Sequence, residues 1–404
     1  MQLRAAPRAE ARIFGIRTTA MRALHVSDCR VANQHILCHS NTFNLSEIGP
    51  RGGWLAVKAP IQNPYSLDKP LKLSVCYTET CNLSCQHCYA DCSPQKAAAE
   101  LNGEQWSRFL DEISELGVVY LYIEGGEPFH RPDFLSFLAS ASGRFFTEIR
   151  TNGTLITRDL SRRLNEIGVG ILLVDILSPR PEVHDDFTGV QGSHARACEA
   201  VEYLLEAGIE TQLLTILNRR NVEDLQGYID LAHRLGVKTA GILRPYPLGR
   251  FKYRWKDFSL SLDEMHAALD SLRLPPGMKL MQSWHPNDGN SCWQMAAVNA
   301  FGNSIGCAYL REYVDYGNIK DVSFMETWQH PLYRELRSGR VTDTCSSCSS
   351  SQGSHGGCRS TAFAFHGAWD APDPFDRPLN NGVDLRVLPE WLLQPRPKPP
   401  GTPG

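Results

Sequence analysis

The chain has 404 residues, 42% of them hydrophobic and 21% charged, with a formal net charge of -3. That length exceeds the roughly 250–300 residues over which a single core grows, so one large domain with a smaller one appended is expected. The near-neutral charge leaves no footprint for nucleic acid or an anionic membrane, and no stretch approaches the roughly 20 apolar residues of a membrane span; a soluble, cytoplasmic protein is expected.

Residues 1–68 read as an N-terminal extension. Five arginines fall in the first 22 residues beside Glu10 and without an amphipathic stripe, which suits a disordered lead better than an organelle-targeting segment. Between Ala23 and Val57, short alternating stretches predict small strands. From Leu71, apolar and β-branched runs alternate with amphipathic helical stretches, the pattern of βα units around a parallel sheet. Six strands are predicted: Leu71–Thr78, Val118–Glu124, Phe145–Thr151, Gly170–Leu177, Glu210–Leu217 and Val237–Arg244. Helices lie between them, among them Thr157–Ile167, capped by Thr157, and Asn221–Leu235, with Asn221 accepting from first-turn amides and Gly236 closing the end.

Six βα repeats with right-handed crossovers are two short of an eightfold barrel, so the expected fold is α/β, an open partial (β/α)6 barrel over residues 69–255. Over residues 256–376 the rhythm fades into loop-, glycine- and cysteine-rich sequence, read as a second, metal-dependent module. Residues 377–404 end in a proline-rich run and are predicted to be a disordered tail.

Thirteen cysteines are unevenly spread: five fall between Cys76 and Cys92, and five between Cys292 and Cys358. With no secretory signal and a long chain, clustered thiols point to metal ligands rather than disulfides. Cys81, Cys85 and Cys88 have the spacing C-x3-C-x2-C directly after the first predicted strand. Three thiolates can hold three irons of a cubane and leave the fourth open to an exogenous ligand. A structural zinc site is the rival reading, but zinc usually takes four ligands, commonly from paired C-x2-C knuckles.

This cysteine run resembles the signature of the radical S-adenosylmethionine (radical SAM) superfamily, whose fold is the partial barrel already expected. The resemblance implies a [4Fe-4S] cluster held by the three cysteines and SAM. It extends to Glu124-Gly-Gly-Glu-Pro128, similar to the family's GGE motif, which implies that Gly125, Gly126 and Glu127 receive the methionine amino group of SAM. Thr151-Asn-Gly-Thr154 is similar to its TNG segment and brings in Asn152. Asp175 stands where relatives often carry a ribose-contacting serine, and His87 at a position often aromatic near the adenine. Each motif ends a predicted strand, where barrel enzymes assemble their sites.

Val183–Gly189 and Arg244–Arg250 continue the resemblance, which covers roughly residues 70–250 and points to the subgroup carrying a C-terminal SPASM domain. That domain's seven-cysteine pattern is met in part. Cys292, Gly302 and Cys307 fit its opening, Gly317-Asn-Ile319 matches a common segment, and Cys345, Cys348 and Cys358 fit three of the next four positions. Ser354 and Asp376 stand where two further cysteines belong. The resemblance therefore implies one auxiliary cluster on Cys292, Cys307 and Cys358. A second site on Cys345 and Cys348 would be absent, smaller or labile, because serine and aspartate are weaker partners for a cubane than thiolate. Zinc there, or packed thiols without metal, are the alternatives.

The implied chemistry is reductive cleavage of SAM to a 5′-deoxyadenosyl radical that abstracts hydrogen from a substrate. A ribosomally made peptide or protein is the expected substrate, with crosslinking, epimerisation or oxidation as the outcome. A small-molecule dehydrogenase or epimerase, acting on a sugar or cofactor precursor, is the alternative. A non-catalytic iron-sulfur or zinc scaffold or electron carrier is the third reading. An electron donor such as flavodoxin or ferredoxin is implied as partner. Cys92 and Cys76 are candidate hydrogen-atom donors, and Arg244 and Tyr246 candidate contacts to SAM or substrate.

Overall fold

In the computed structural model of the protein, the described residues are 68–95, 99–283, 295–337 and 357–394, with the backbone of three short strands nearer the N-terminus. Those strands, β1 (Cys29–Ala32), β2 (His35–Cys38) and β3 (Asn41–Asn44), form an antiparallel sheet in the order β1-β2-β3. The second sheet has eight strands, all parallel to their neighbours. Six are the predicted ones: β4 (Lys72–Thr78), β5 (Tyr120–Gly125), β6 (Phe146–Thr151), β7 (Ile171–Asp175), β8 (Glu210–Ile216) and β9 (Thr239–Leu243). They follow one another in sheet order. Leu73, Val75, Leu121, Ile123, Ile149, Leu172 and Val174 are all fully buried, as strands covered on both faces require.

Two further strands extend the sheet. β10 (Lys279–Gln282) pairs with β9, and β11 (Met295–Val298) pairs with β4 on the opposite side. Each is four residues long, too short to show a period in the sequence. Among the described residues no pairing joins β10 to β11, so the barrel stays open.

The helices cover the outer face. α1 (Gly103–Glu115) starts with a capping box between Asn102 and Gln105. It packs with α2 (Phe134–Ser142) over Tyr77, whose ring lies 5.6 Å from Trp106 and 4.5 Å from Phe137. α3 (Arg158–Ile167) begins as expected, with the Thr157 side chain accepting from Leu160 N, and ends at Gly168 with φ 83°. α4 (Pro181–Thr188), α5 (Ser193–Glu206) and α6 (Leu225–Arg234) complete the repeats.

Two expectations are corrected here. Asn221 does not cap α6: a 3-10 turn, Val222–Asp224, intervenes. Its side chain instead accepts from Asn218 N (2.9 Å) and donates to Leu177 O (2.8 Å), tying strand ends together. Residues 377–394 are not a disordered tail. Leu379, Leu385 and Leu392 are buried, and the Trp255 indole donates to Leu385 O at 2.7 Å. Apolar residues spaced through that stretch dock it on the barrel, whereas the proline-rich run begins after it. Among the described residues no helix is long and apolar enough to cross a membrane.

Candidate active site

The cysteine loop leaves the C-terminal end of β4 and is clasped by distant segments. Ser84 N donates to Thr188 O (3.3 Å) and Gln86 N to Phe187 O (2.8 Å), both from the Val183–Gly189 stretch. From the other side Gly249, at φ 54°, lies so close that an added Cβ would sit 2.4 Å from Cys88 O. Arg250 Nε donates to Asp91 Oδ1 at 3.0 Å and its guanidinium to Cys92 O. The two outlying motif segments thus hold the cysteine loop in place.

Cys81 is buried, and Cys85 and Cys88 are partly so. Burial pushes the Cys81 thiol up to about 12, with the Glu127 carboxylate adding to it. Cys85 is held well above its ordinary value by burial and then by Cys81 and Cys88, so its thiol feels both of the others. Cys88 is drawn below its ordinary value by the neighbouring Cys92, through its thiol first and then its amide, which donates to Cys88 Sγ at 3.3 Å, against the effect of burial. Buried thiolates without a counter-charge are costly, and a cationic metal cluster is the group that would offset them. Among the described residues no three His, Cys, Asp or Glu side chains converge on a single metal ion. A four-iron cubane asks for something else, because it spreads three thiolates over three irons.

The glycine loop after β5 is shaped by close approach to the chain's own backbone. A Cβ at Gly125, which has φ 142°, would meet Thr78 O at 2.3 Å, and one at Gly126 would meet Thr80 O at 2.1 Å. Gly126 N and Glu127 N donate to Thr78 O (2.6 Å) and Thr80 O (3.0 Å). The Glu127 side chain is fully buried; it accepts from Phe129 N (3.1 Å), Thr151 Oγ1 (2.8 Å) and Asn152 N (2.8 Å). A carboxylate has about four lone-pair positions, so roughly one is left for an external donor. Burial nevertheless pushes its pKa up to about 7 against those three donors. Asn152 in turn donates to Asn82 Oδ1 (2.9 Å) and lies 3.8 Å from Cys81 Sγ, linking this loop to the cysteines.

Asp175 ends β7 paired with a residue that sequence reasoning missed: Arg150 Nε lies 3.0 Å from both of its carboxylate oxygens. Arg150, His87, Arg244, Tyr246, Phe251 and Tyr309 are among the residues lining one narrow cleft, partly open to solvent. The His87 Nδ1 is buried with no hydrogen-bond partner among the described residues, and burial together with Arg150 pushes the ring's pKa down to about 3. The neutral ring, with an unanswered polar atom, meets the rings of Phe187 and Phe251 edge-on. Tyr246 stacks on Tyr309 at 3.7 Å. Cys76 and Cys92 are 0% and 2% exposed and do not line this cavity.

In the second module, Cys292, Cys345, Cys348 and Ser354 lie outside the described residues. Cys307 precedes the short turn Ala308–Leu310, and Cys358 caps helix Arg359–His366. These two elements touch through the Ser360 hydroxyl, which donates to Tyr309 O, so both cysteines are brought to one region. Gly302 and Asn318 pack together, Asn318 Nδ2 donating to Phe301 O at 3.0 Å, which accounts for the Gly317-Asn-Ile319 segment. Asp376 is 4% exposed. Sequence reasoning missed Tyr309 and Asp373 as well as Arg150. Only Arg150 had a signal, as a charged residue two positions from Glu148 on one face of a buried strand.

Comparison with known proteins extends these observations. Residues 75–232 match the model of the radical SAM superfamily, and residues 291–349 that of an iron-sulfur cluster-binding domain, SPASM. The chain is 30% identical over 327 residues to mycofactocin maturase MftC of Mycobacterium tuberculosis H37Rv, covering 76% of this chain and 83% of the relative. It is 27% identical to the AdoMet-dependent heme synthase of Methanosarcina barkeri (74% and 93% covered) and 26% to the PqqA peptide cyclase of Gluconobacter oxydans (80% and 97%). Among solved structures, Streptococcus suis SuiB bound to precursor peptide SuiA shares the fold, with a TM-score of 0.63 at 17% identity over 78% of this chain and 76% of that one. The three-cysteine loop at the mouth of an open parallel barrel, the glycine and TNG loops braced against it, and these matches together establish that the chain belongs to the radical SAM superfamily and carries a SPASM domain.

Proposed function

We propose that this enzyme modifies a ribosomally made peptide or protein by crosslinking, epimerisation or oxidation. The observation carrying the reading is the match to a peptide cyclase across 80% of this chain and 97% of that relative. Cys81, Cys85 and Cys88 hold the SAM-binding [4Fe-4S] cluster; Cys292, Cys307 and Cys358 hold one auxiliary cluster, and Cys345 and Cys348 at most a weaker site. The cluster and SAM together supply a 5′-deoxyadenosyl radical able to remove hydrogen from a substrate carbon.

The remaining work belongs to the chain. Gly125 and Gly126 press the loop after β5 against Thr78–Cys81, and Glu127 fixes it to Asn152, leaving one acceptor position for the SAM ammonium. The Tyr89 hydroxyl donates to Glu124 Oε2 at 2.7 Å, and the Ser74 hydroxyl to Glu124 Oε1 at 3.0 Å; this holds a buried carboxylate away from the cavity. His87, held edge-on by Phe187, and Phe251 line the cleft and offer the adenine an apolar wall. Asp175 orients Arg150, which lines the cleft, rather than standing free for the ribose. An external electron donor, flavodoxin or ferredoxin in kind, would supply the electron that a cluster held by these cysteines needs.

The match to a heme synthase at 27% identity supports a second reading, a small tetrapyrrole-like or other cofactor precursor as substrate. Anaerobic incubation with SAM, reductant and a short peptide encoded beside the gene separates the two. A mass change on the peptide supports the first reading; turnover of a small precursor with the peptide untouched supports the second.

A further inference from the structure

Asp373 sits where the segment bearing Cys358 meets the barrel. It is fully buried, and its two oxygens divide their partners. Oδ2 accepts from the Arg244 guanidinium at 2.6 Å and from the Cys358 amide at 2.9 Å. Oδ1 accepts from the Thr361 hydroxyl at 2.6 Å and the Phe375 amide at 3.1 Å. Arg244 follows β9 and lines the cavity, and its Nε donates to Tyr246 Oη at 3.2 Å. Gly357, just before Cys358, approaches so closely that an added Cβ would lie 2.4 Å from Asp373 Cβ. One carboxylate oxygen therefore joins the cavity wall to the backbone of a candidate cluster ligand.

A buried ion pair adds little to stability over a well-packed apolar pair, so fold stability alone does not account for it. With side chains 5% and 0% exposed, its charges are screened less by water than those of a surface pair. We propose that Asp373 is a positioning residue that couples the barrel cavity to the second cysteine site, its bonds to Arg244 and to the Cys358 amide setting the reduction potential of the cluster at Cys358. This rests on the reading that Cys358 ligates an auxiliary cluster. The two charges of the pair act in opposite senses. A nearby anion disfavours an added electron and a nearby cation favours it, so removing Asp373's charge raises the potential and removing Arg244's lowers it.

The test is a potentiometric titration, followed by electron paramagnetic resonance, of the reconstituted full chain carrying Cys81, Cys85 and Cys88 as alanines, so that only the auxiliary signal is read. Asp373→Asn is expected to shift the midpoint upward, Arg244→Gln downward, and the double variant to return close to the parent. Shifts in the same direction, or none, overturn the proposal, because general loosening does not change sign with charge. Should Asp373→Asn fail to fold by circular dichroism, Arg244→Gln against Arg244→Lys decides: a drop with the former and none with the latter supports the coupling. Cys358→Ala keeps the two readings apart. If it leaves iron content and signal unchanged, the cluster assignment falls and the coupling with it; if it abolishes the signal while the charge variants shift nothing, only the coupling falls.

Discussion

The Glu127 carboxylate lies 2.8 Å from the main-chain amide of Asn152, and this one bond joins the loops that follow two neighbouring strands, β5 and β6. With Phe129 N and Thr151 Oγ1 as its other donors, Glu127 braces the site as well as offering an acceptor to it. Glu127→Ala leaves these buried donors unanswered and is expected to cost roughly 2–4 kcal/mol of stability in the cluster-free protein, read by urea denaturation.

The same residue carries a pH dependence. Its folded pKa of about 7 stands above the ordinary 4.5. The neutral form is therefore the one the fold favours: its contribution is fully present below the ordinary value and is lost as pH rises through about 7. Wild-type stability should fall relative to that of Glu127→Gln, which stays neutral, across that window. Parallel curves would show that Glu127 titrates elsewhere.

Gly126→Ala drives a Cβ to 2.1 Å from Thr80 O, a backbone atom that cannot swing aside. Iron bound at the first site should fall severalfold on reconstitution. Gly103→Ala, at the first residue of α1 with the nearest atom 3.9 Å away, should keep full iron content and gain up to about 1 kcal/mol of stability.

Arg150 and Asp175 form a pair with side chains 9% and 22% exposed. Removing Arg150 alone leaves a largely buried carboxylate and should cost about 3 kcal/mol, whereas Arg150→Met with Asp175→Leu should cost less than either single change. A double-mutant cycle in urea measures this, and additive costs would contradict it.

Much of this architecture was legible because the strands are buried on both faces and announce themselves as unbroken apolar runs. The cysteine, glycine and TNG motifs are local in sequence and each follows such a run. What was not legible depends on partners far apart in the chain. Asp373 meets Arg244 across 129 residues, and no local spacing records that. Strands β10 and β11 are too short to show a period. Asn221 carried a helix-capping preference that tertiary hydrogen bonds to Leu177 and Ile216 overrode. Arg150 carries a signal, a charged side chain in a buried strand, but its partner Asp175 stands 25 residues on in the next strand, beyond any local spacing.

The central claim, that Cys81, Cys85 and Cys88 support reductive cleavage of SAM, is tested most directly by 5′-deoxyadenosine formation. Protein reconstituted anaerobically with iron and sulfide is given SAM and dithionite, and the wild type is compared with the triple alanine variant. Formation by the wild type and none by the variant is the predicted result. A brown, cluster-loaded wild type that forms none, even with candidate peptides present, would contradict the account.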